Sequence, residues 1–100
     1  MTDIVRWNKS KKPTLAELQA MLQAEGLAYE LYADAPHTKY GRHKHAFEDF
    51  IVIVKGRMKL VTDLHEWILK PGDRLNLPAN TVHSAEMMGK DEVQYLSAAK

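Results

Sequence analysis

Five histidines occur in this chain of 100 residues, and His43-Lys44-His45 is the most informative group. On a helix, residues two apart point in nearly opposite directions. On a strand they share a face, about 6–7 Å apart. Two imidazoles on one face converge on a single cation when each ring nitrogen sits roughly 2.1 Å from it. Asp49 has the same strand parity as His43, His45, Ile51 and Ile53, so its carboxylate is expected on the same interior face. His83 comes from far along the chain, after the proline turn Leu77-Pro78-Ala79-Asn80 and at the start of a new strand-like run. Concave β-sheet mouths are a common place for side chains from distant strands to meet around a ligand. The candidate metal ligands are therefore His43, His45, Asp49 and His83. Three neutral imidazoles, with or without a carboxylate, suit a divalent transition metal: Fe, Mn, Ni, Zn, Co or Cu. Ligand type alone does not choose among them.

The elements that must position these residues are short. Thr14 and Glu17 form a capping box at the head of a helix running to Glu25, in which each side chain satisfies an orphan backbone N–H. Leu15, Leu18, Met21 and Leu22 make one apolar stripe, and Gly26 supplies the left-handed stop. From Leu27 the period changes to two. Leu27–Ala33, Asp49–Lys55, Arg57–Thr62, His65–Leu69, Arg74–Leu77, Thr81–Met88 and Glu92–Ser97 read as strands, with turns such as Lys70-Pro71-Gly72-Asp73 between them. Phe50–Val54 is apolar on both faces and must be covered on both; a second subunit is one natural cover. Residues 1–13 read as a solvated basic arm in which Asp3–Trp7 could add an edge strand.

Length and composition bound the rest. The chain is one domain by size. We divide it into residues 1–26, an N-terminal arm and helix packing on the barrel or on a partner subunit, and residues 27–100, one β-barrel domain. Lys+Arg number 14 against 13 Asp+Glu, a net charge of +1, which gives no electrostatic case for nucleic acid or an anionic membrane. Phe50–Val54 is the longest apolar run, far short of the ~20 residues of a membrane helix. With no apolar segment typical of a signal peptide near the N-terminus, a cytoplasmic location is expected. Cysteine is absent, which excludes disulfides, thiolate nucleophiles and Cys-ligated zinc.

The two histidine segments resemble the two motifs of the cupin superfamily, small jelly-roll β-barrels. The first motif runs Gly, five residues, His-x-His, three or four residues, Glu, six residues, Gly. Here His43-Lys44-His45 is followed by three residues, Asp49, six residues and Gly56. The second runs Gly, five residues, Pro-x-Gly, two residues, His, three residues, Asn. Here Gly72 is followed by five residues, Pro78-Ala79-Asn80, two residues, His83, three residues and Met87. The departures are His37 for the opening Gly, Asp49 for Glu, Asn80 for Gly and Met87 for the final Asn. Asn80 is mild, because Asn tolerates a left-handed turn. Asp49 matters more: one methylene fewer shortens the reach by roughly 1.5 Å. The metal is then held by three His plus Asp49, by three His alone, or by three His with Glu48, which has the reach but the wrong parity unless a bulge turns it inward.

The resemblance implies a mainly β fold, a jelly-roll barrel with one short N-terminal helix, commonly a homodimer. It also implies a range of functions. The leading expectation is a metal-dependent oxidoreductase of dioxygenase type acting on a small organic molecule, with no catalytic residue assigned beyond the metal ligands. A non-catalytic metal- or ligand-binding module is the first alternative. A sugar-isomerase-like cupin is the second, and would draw on cations at the mouth such as Lys39, Arg42, Lys44 and Arg57. By parity Phe47, Ile51 and Ile53 line the interior, with Met58, Leu60, Leu75 and Leu77 as further lining. Tyr29, Tyr32, Tyr40 and Arg42 are within reach of the mouth. His37 and His65 read as surface residues.

Overall fold

The computed structural model describes residues 3–100; Met1 and Thr2, at the head of the expected arm, lie outside the described residues. In chain order the elements are β1 (Asp3–Val5), α1 (Leu15–Ala24), β2 (Tyr29–Asp34), β3 (Lys39–His43), β4 (Asp49–Lys55), β5 (Arg57–Thr62), β6 (Glu66–Leu69), β7 (Arg74–Leu77), β8 (His83–Met88) and β9 (Val93–Ala99). The strands make two facing sheets, ordered β1-β7-β4-β9-β2 and β3-β8-β5-β6. All pairings are antiparallel. This is the jelly-roll architecture, built as a two-sheet sandwich.

Alternation decides which side chains enter the sandwich. In β4, Ile51 and Ile53 point between the sheets, where they pack with Met58, Leu60, Leu69, Leu75, Leu77, Met87 and Val93. Phe50 and Val52 point the other way and meet α1 through Leu18 and Leu22, joined by Leu27, Leu96 and Ala98. The second apolar face of β4 is thus covered by the chain's own helix, and that face does not call for a second subunit.

Helix α1 begins as the capping box requires. Thr14 Oγ1 accepts from the Glu17 N–H at 3.2 Å, and the Thr14 N–H donates to Glu17 Oε1 at 3.0 Å. It stops at Gly26, whose φ is +72°. Leu18 and Leu22 are fully buried, while Met21, on the flank of the stripe, stays 39% exposed. Each buried leucine contributes about 1.5–3 kcal/mol by leaving water, which a helix this short needs. Its C-terminal end is tied to the sheet by a bidentate pair between Arg74 and Glu25, and the Arg74 guanidinium also lies 5.1 Å from the Phe50 ring.

Residues 3–7 dock on the sheet, where the sequence offers an edge strand, while residues 8–12 stay exposed. β1 pairs with β7 in the register Ile4↔Leu75. Beyond it, the Asp73 carboxylate accepts from the Trp7 N–H at 2.9 Å and from Arg6 at 2.8 Å. The solvated arm is confined to the stretch that carries Lys9, Lys11 and Lys12, all exposed. Asp73 supplies the partner that the local sequence does not show.

Two loops carry left-handed backbone at non-glycine residues, His37 (φ 68°) and Asn80 (φ 65°). Both stand where the cupin motifs place Gly. The turn geometry is kept at a cost of about 1–2 kcal/mol at His37, offset in part by its N–H donating to the Met87 carbonyl at 2.9 Å.

Candidate metal centre

His43 and His83 are cross-strand partners of β3 and β8. Their rings lie 4.3 Å apart between centroids. His45 reaches the same point by a different route from the one the strand parity anticipates. β3 closes at His43, after a register shift between Tyr40 and His43, so His45 sits in the loop before β4. That loop still brings its ring to 5.0 Å from His43 and 5.5 Å from His83. One donor nitrogen from each of the three lies within 4.8 Å of the others. Three imidazoles sharing one cation need their nitrogens roughly 3–3.5 Å apart, so binding would draw the three rings closer together.

The chemistry of the donors fits a metal. His43 Nδ1 is 2.6 Å from the Gly41 carbonyl and His83 Nδ1 is 2.8 Å from the Thr81 carbonyl. A carbonyl only accepts, so in the neutral rings the proton sits on Nδ1 and the Nε2 lone pair is free to ligate. Burial pushes the His83 imidazole below its ordinary value, more than the Thr81 carbonyl raises it. It is therefore held in the neutral form that a metal requires. His45 stacks on Phe47 at 5.0 Å, which limits its ring rotation.

Asp49 is buried beside this group. Its Oδ2 is 3.9 Å from His45 Nε2, and its Oδ1 accepts from Ser97 Oγ at 3.3 Å. It faces the interior, as its parity with Ile51 predicts, but stands next to the three-histidine cluster rather than within its 4.8 Å span. Glu48 is engaged at its backbone with Lys100 and does not line the cavity. His37 and His65 are exposed, with His65 tilted against Trp67 at 5.2 Å.

The histidines open onto a cavity of about 350 Å³. Phe47, Ile51, Met58, Leu60 and Met87 give it apolar walls; Leu75 and Leu77 belong to the core below it. Of the residues expected at the mouth, Tyr32 and Tyr40 line it. Tyr29 faces the outer cluster under α1 and holds Gln23 at 2.8 Å. Arg42 is paired with Asp63 at 2.9 Å. Tyr95 also lines the cavity, a residue the sequence reading missed. The signal was present: Val93, Tyr95 and Ser97 share one parity, while Leu96 and Ala98 carry the other to the helix. None of the cations considered for the mouth lines the cavity.

Among the described residues, no helix is long and apolar enough to cross a membrane.

Comparison with known proteins agrees with this geometry. The cupin domain family model matches residues 31–99. No curated protein matches the chain. Among solved structures, a cupin 2 domain-containing protein from Halorhodospira halophila superposes with a TM-score of 0.77 at 16% identity, covering 100% of this chain and 77% of that one. A cupin superfamily protein from Desulfitobacterium hafniense DCB-2 gives 0.64 at 16% identity, with 99% and 76% covered. The DMSP lyase DddQ from Ruegeria pomeroyi DSS-3 gives 0.66 at 23% identity, covering 74% of this chain but only 38% of that one. The family match over residues 31–99, on a jelly roll whose mouth gathers His43, His45 and His83, means that this chain belongs to the cupin domain family.

Proposed function

We propose that this cupin is a metal-dependent enzyme, an oxidoreductase of dioxygenase type that acts on a small, partly apolar organic molecule. The observation that carries the reading is three histidine donors within 4.8 Å of one another at one end of a largely apolar cavity. His43, His45 and His83 would hold a divalent transition metal, which when bound supplies open coordination positions for Lewis-acid or redox chemistry. The chain's own residues do the rest. The Gly41 and Thr81 carbonyls orient two of the imidazoles. Phe47 holds the third. Ile51, Met58 and Leu60 exclude water from the substrate side. Asp49, fixed by Ser97, places its carboxylate beside His45 at the edge of the cluster.

The absence of Lys and Arg from the cavity wall speaks against the sugar-isomerase reading. A binding module without turnover shares the same site and is separated by experiment. Protein purified without chelator or affinity tag is assayed by elemental mass spectrometry, beside a His43→Ala/His45→Ala variant. About one equivalent of metal is expected, lost in the variant. The loaded protein is then tested for O₂ consumption with diketones, thiols, catechols and flavonols. Native protein that is metal-free and cannot be loaded would sink the proposal. A ligand that raises the melting temperature and is recovered unaltered would favour the binding module.

A further inference from the structure

The end of the cavity away from the histidines carries a second polar group that the metal site does not use. Strand β9 links the two ends. Its Ser97 touches Asp49 beside the histidines. Two residues along, roughly 7 Å by strand rise, Tyr95 donates its hydroxyl to Asp34 Oδ2 at 2.7 Å. Tyr40, from β3, donates to the same oxygen at 2.9 Å. Tyr32 pairs with Tyr95 across β2 and β9 and stacks on it, with centroids 5.6 Å apart. Tyr40 and Tyr95 line the cavity, whereas Asp34 lies behind them and does not.

Proton counting defines what this end can recognise. A phenol has one O–H to donate. In Tyr40 and Tyr95 that proton is committed to Asp34. The hydrogen bond to Asp34 pushes the Tyr40 phenol up, and burial together with Asp34 pushes the Tyr95 phenol up further, so both keep their protons. What the two oxygens offer the cavity is therefore acceptor capacity. No Lys or Arg lines the wall, and the acidic groups nearby are Asp34 behind Tyr40 and Tyr95, Glu30, which accepts from the Tyr32 hydroxyl, and Asp49. A carboxylate or phosphate head at this end would meet acceptors and like charge. An O–H or N–H head would meet two acceptors, with a stacked aromatic pair beside it.

We propose that Tyr40, Tyr95 and Asp34 form a ligand-recognition subsite that selects a hydrogen-bond-donating head, hydroxyl or ammonium, on a small molecule and rejects an anionic one. This rests on the cavity being the ligand site, but not on which metal the histidines hold.

The test uses the full chain stripped with EDTA and three probes with one ring and different heads: benzyl alcohol, benzylamine and benzoate. Each is titrated while backbone amide shifts of β2, β3 and β9 are followed by NMR. At least one donor probe is expected to bind about tenfold or more tightly than benzoate, the discrimination of one well-placed polar contact. Which of the two binds better assigns the head as hydroxyl or ammonium. The Tyr40→Phe/Tyr95→Phe variant, with Asp34→Asn added so that no unpaired carboxylate is left behind the rings, removes both acceptors and is expected to bring the probes within about threefold of each other. Asp34→Ala, which removes the acceptor of both hydroxyl protons and so releases them to the cavity, is expected to narrow the gap as well, and serves if that variant does not fold. Tyr29→Phe, on the outer face, is expected to keep the full selectivity. Equal binding of benzoate, selectivity that survives the folded variants, or no saturable shifts with either donor probe overturns the proposal. Because the protein carries no metal in this experiment, its outcome is independent of metal loading and turnover.

Discussion

Asp49→Glu tests where the carboxylate stands in the metal centre. In the native chain Asp49 Oδ2 lies 3.9 Å from His45 Nε2, outside the cluster formed by the three histidines. One added methylene extends the reach by about 1.5 Å, toward a cavity of about 350 Å³ with room to take it. A fourth, anionic ligand raises metal affinity; one to two orders of magnitude, about 1.4–2.8 kcal/mol, is the scale of such changes around metal sites. Against this stands the loss of the Ser97 hydrogen bond to Asp49, about 0.5–1.5 kcal/mol. The net expectation is roughly tenfold tighter binding. Competition of Co²⁺ against a chromophoric chelator measures the affinity, and the visible ligand-field spectrum reports the change in coordination. Asp49→Ala is the counterpart, expected to weaken binding by no more than about tenfold, while His83→Ala weakens it by at least about 100-fold. An Asp49→Ala protein that loses metal as completely as His83→Ala would refute the reasoning, because the carboxylate would then already be a ligand. So would Asp49→Glu with unchanged affinity and an unchanged spectrum.

Three further predictions concern how the scaffold is held. Gly72 has φ +89°, and an added Cβ would lie 2.5 Å from Trp7 atoms; Gly72→Ala is expected to cost about 3 kcal/mol or more in urea unfolding. A loss under about 1 kcal/mol would show that Trp7 does not dock there in solution. Leu22→Ala removes a fully buried anchor of α1 and is expected to lower stability by about 2–5 kcal/mol; a near-neutral result would mean the helix does not cover β4. The hydrogen bond from Arg74 holds the Glu25 carboxyl below its ordinary value of 4.5. A carboxyl lowered in the folded state adds stability that is present above pH 4.5 and lost as pH falls through its folded value. With 45% of the Glu25 side chain exposed, solvent screening keeps the contribution to about 0.5–1 kcal/mol. Thermal melts from pH 6 downward should show the native protein losing its advantage over Glu25→Gln, and parallel curves would contradict the ion pair.

Spacing alone carried much of this protein. The order His43-x-His45 then His83, the parity of Asp49 with Ile51, the capping box at Thr14 and the left-handed turn at Asn80 are local or periodic properties. Each is imposed by backbone geometry that a residue's neighbours already determine, and so each is readable before folding. The parts that were not readable depend on contacts between distant segments. His45 lies beyond the end of β3, which closes at His43 after a register shift past Tyr40, yet the loop returns its ring to the other two. Trp7 and Arg6 are captured by Asp73, more than sixty residues away, where composition indicated a solvated arm. The outer face of β4 is covered by α1, a choice between helix and second subunit that an apolar pattern states only as a need for cover. Tyr95 became part of the cavity because β9 lies between β4 and β2, which sets its hydroxyl against Asp34. Alternation tells which side chains share a face; only the pairing of strands far apart in sequence decides what that face meets.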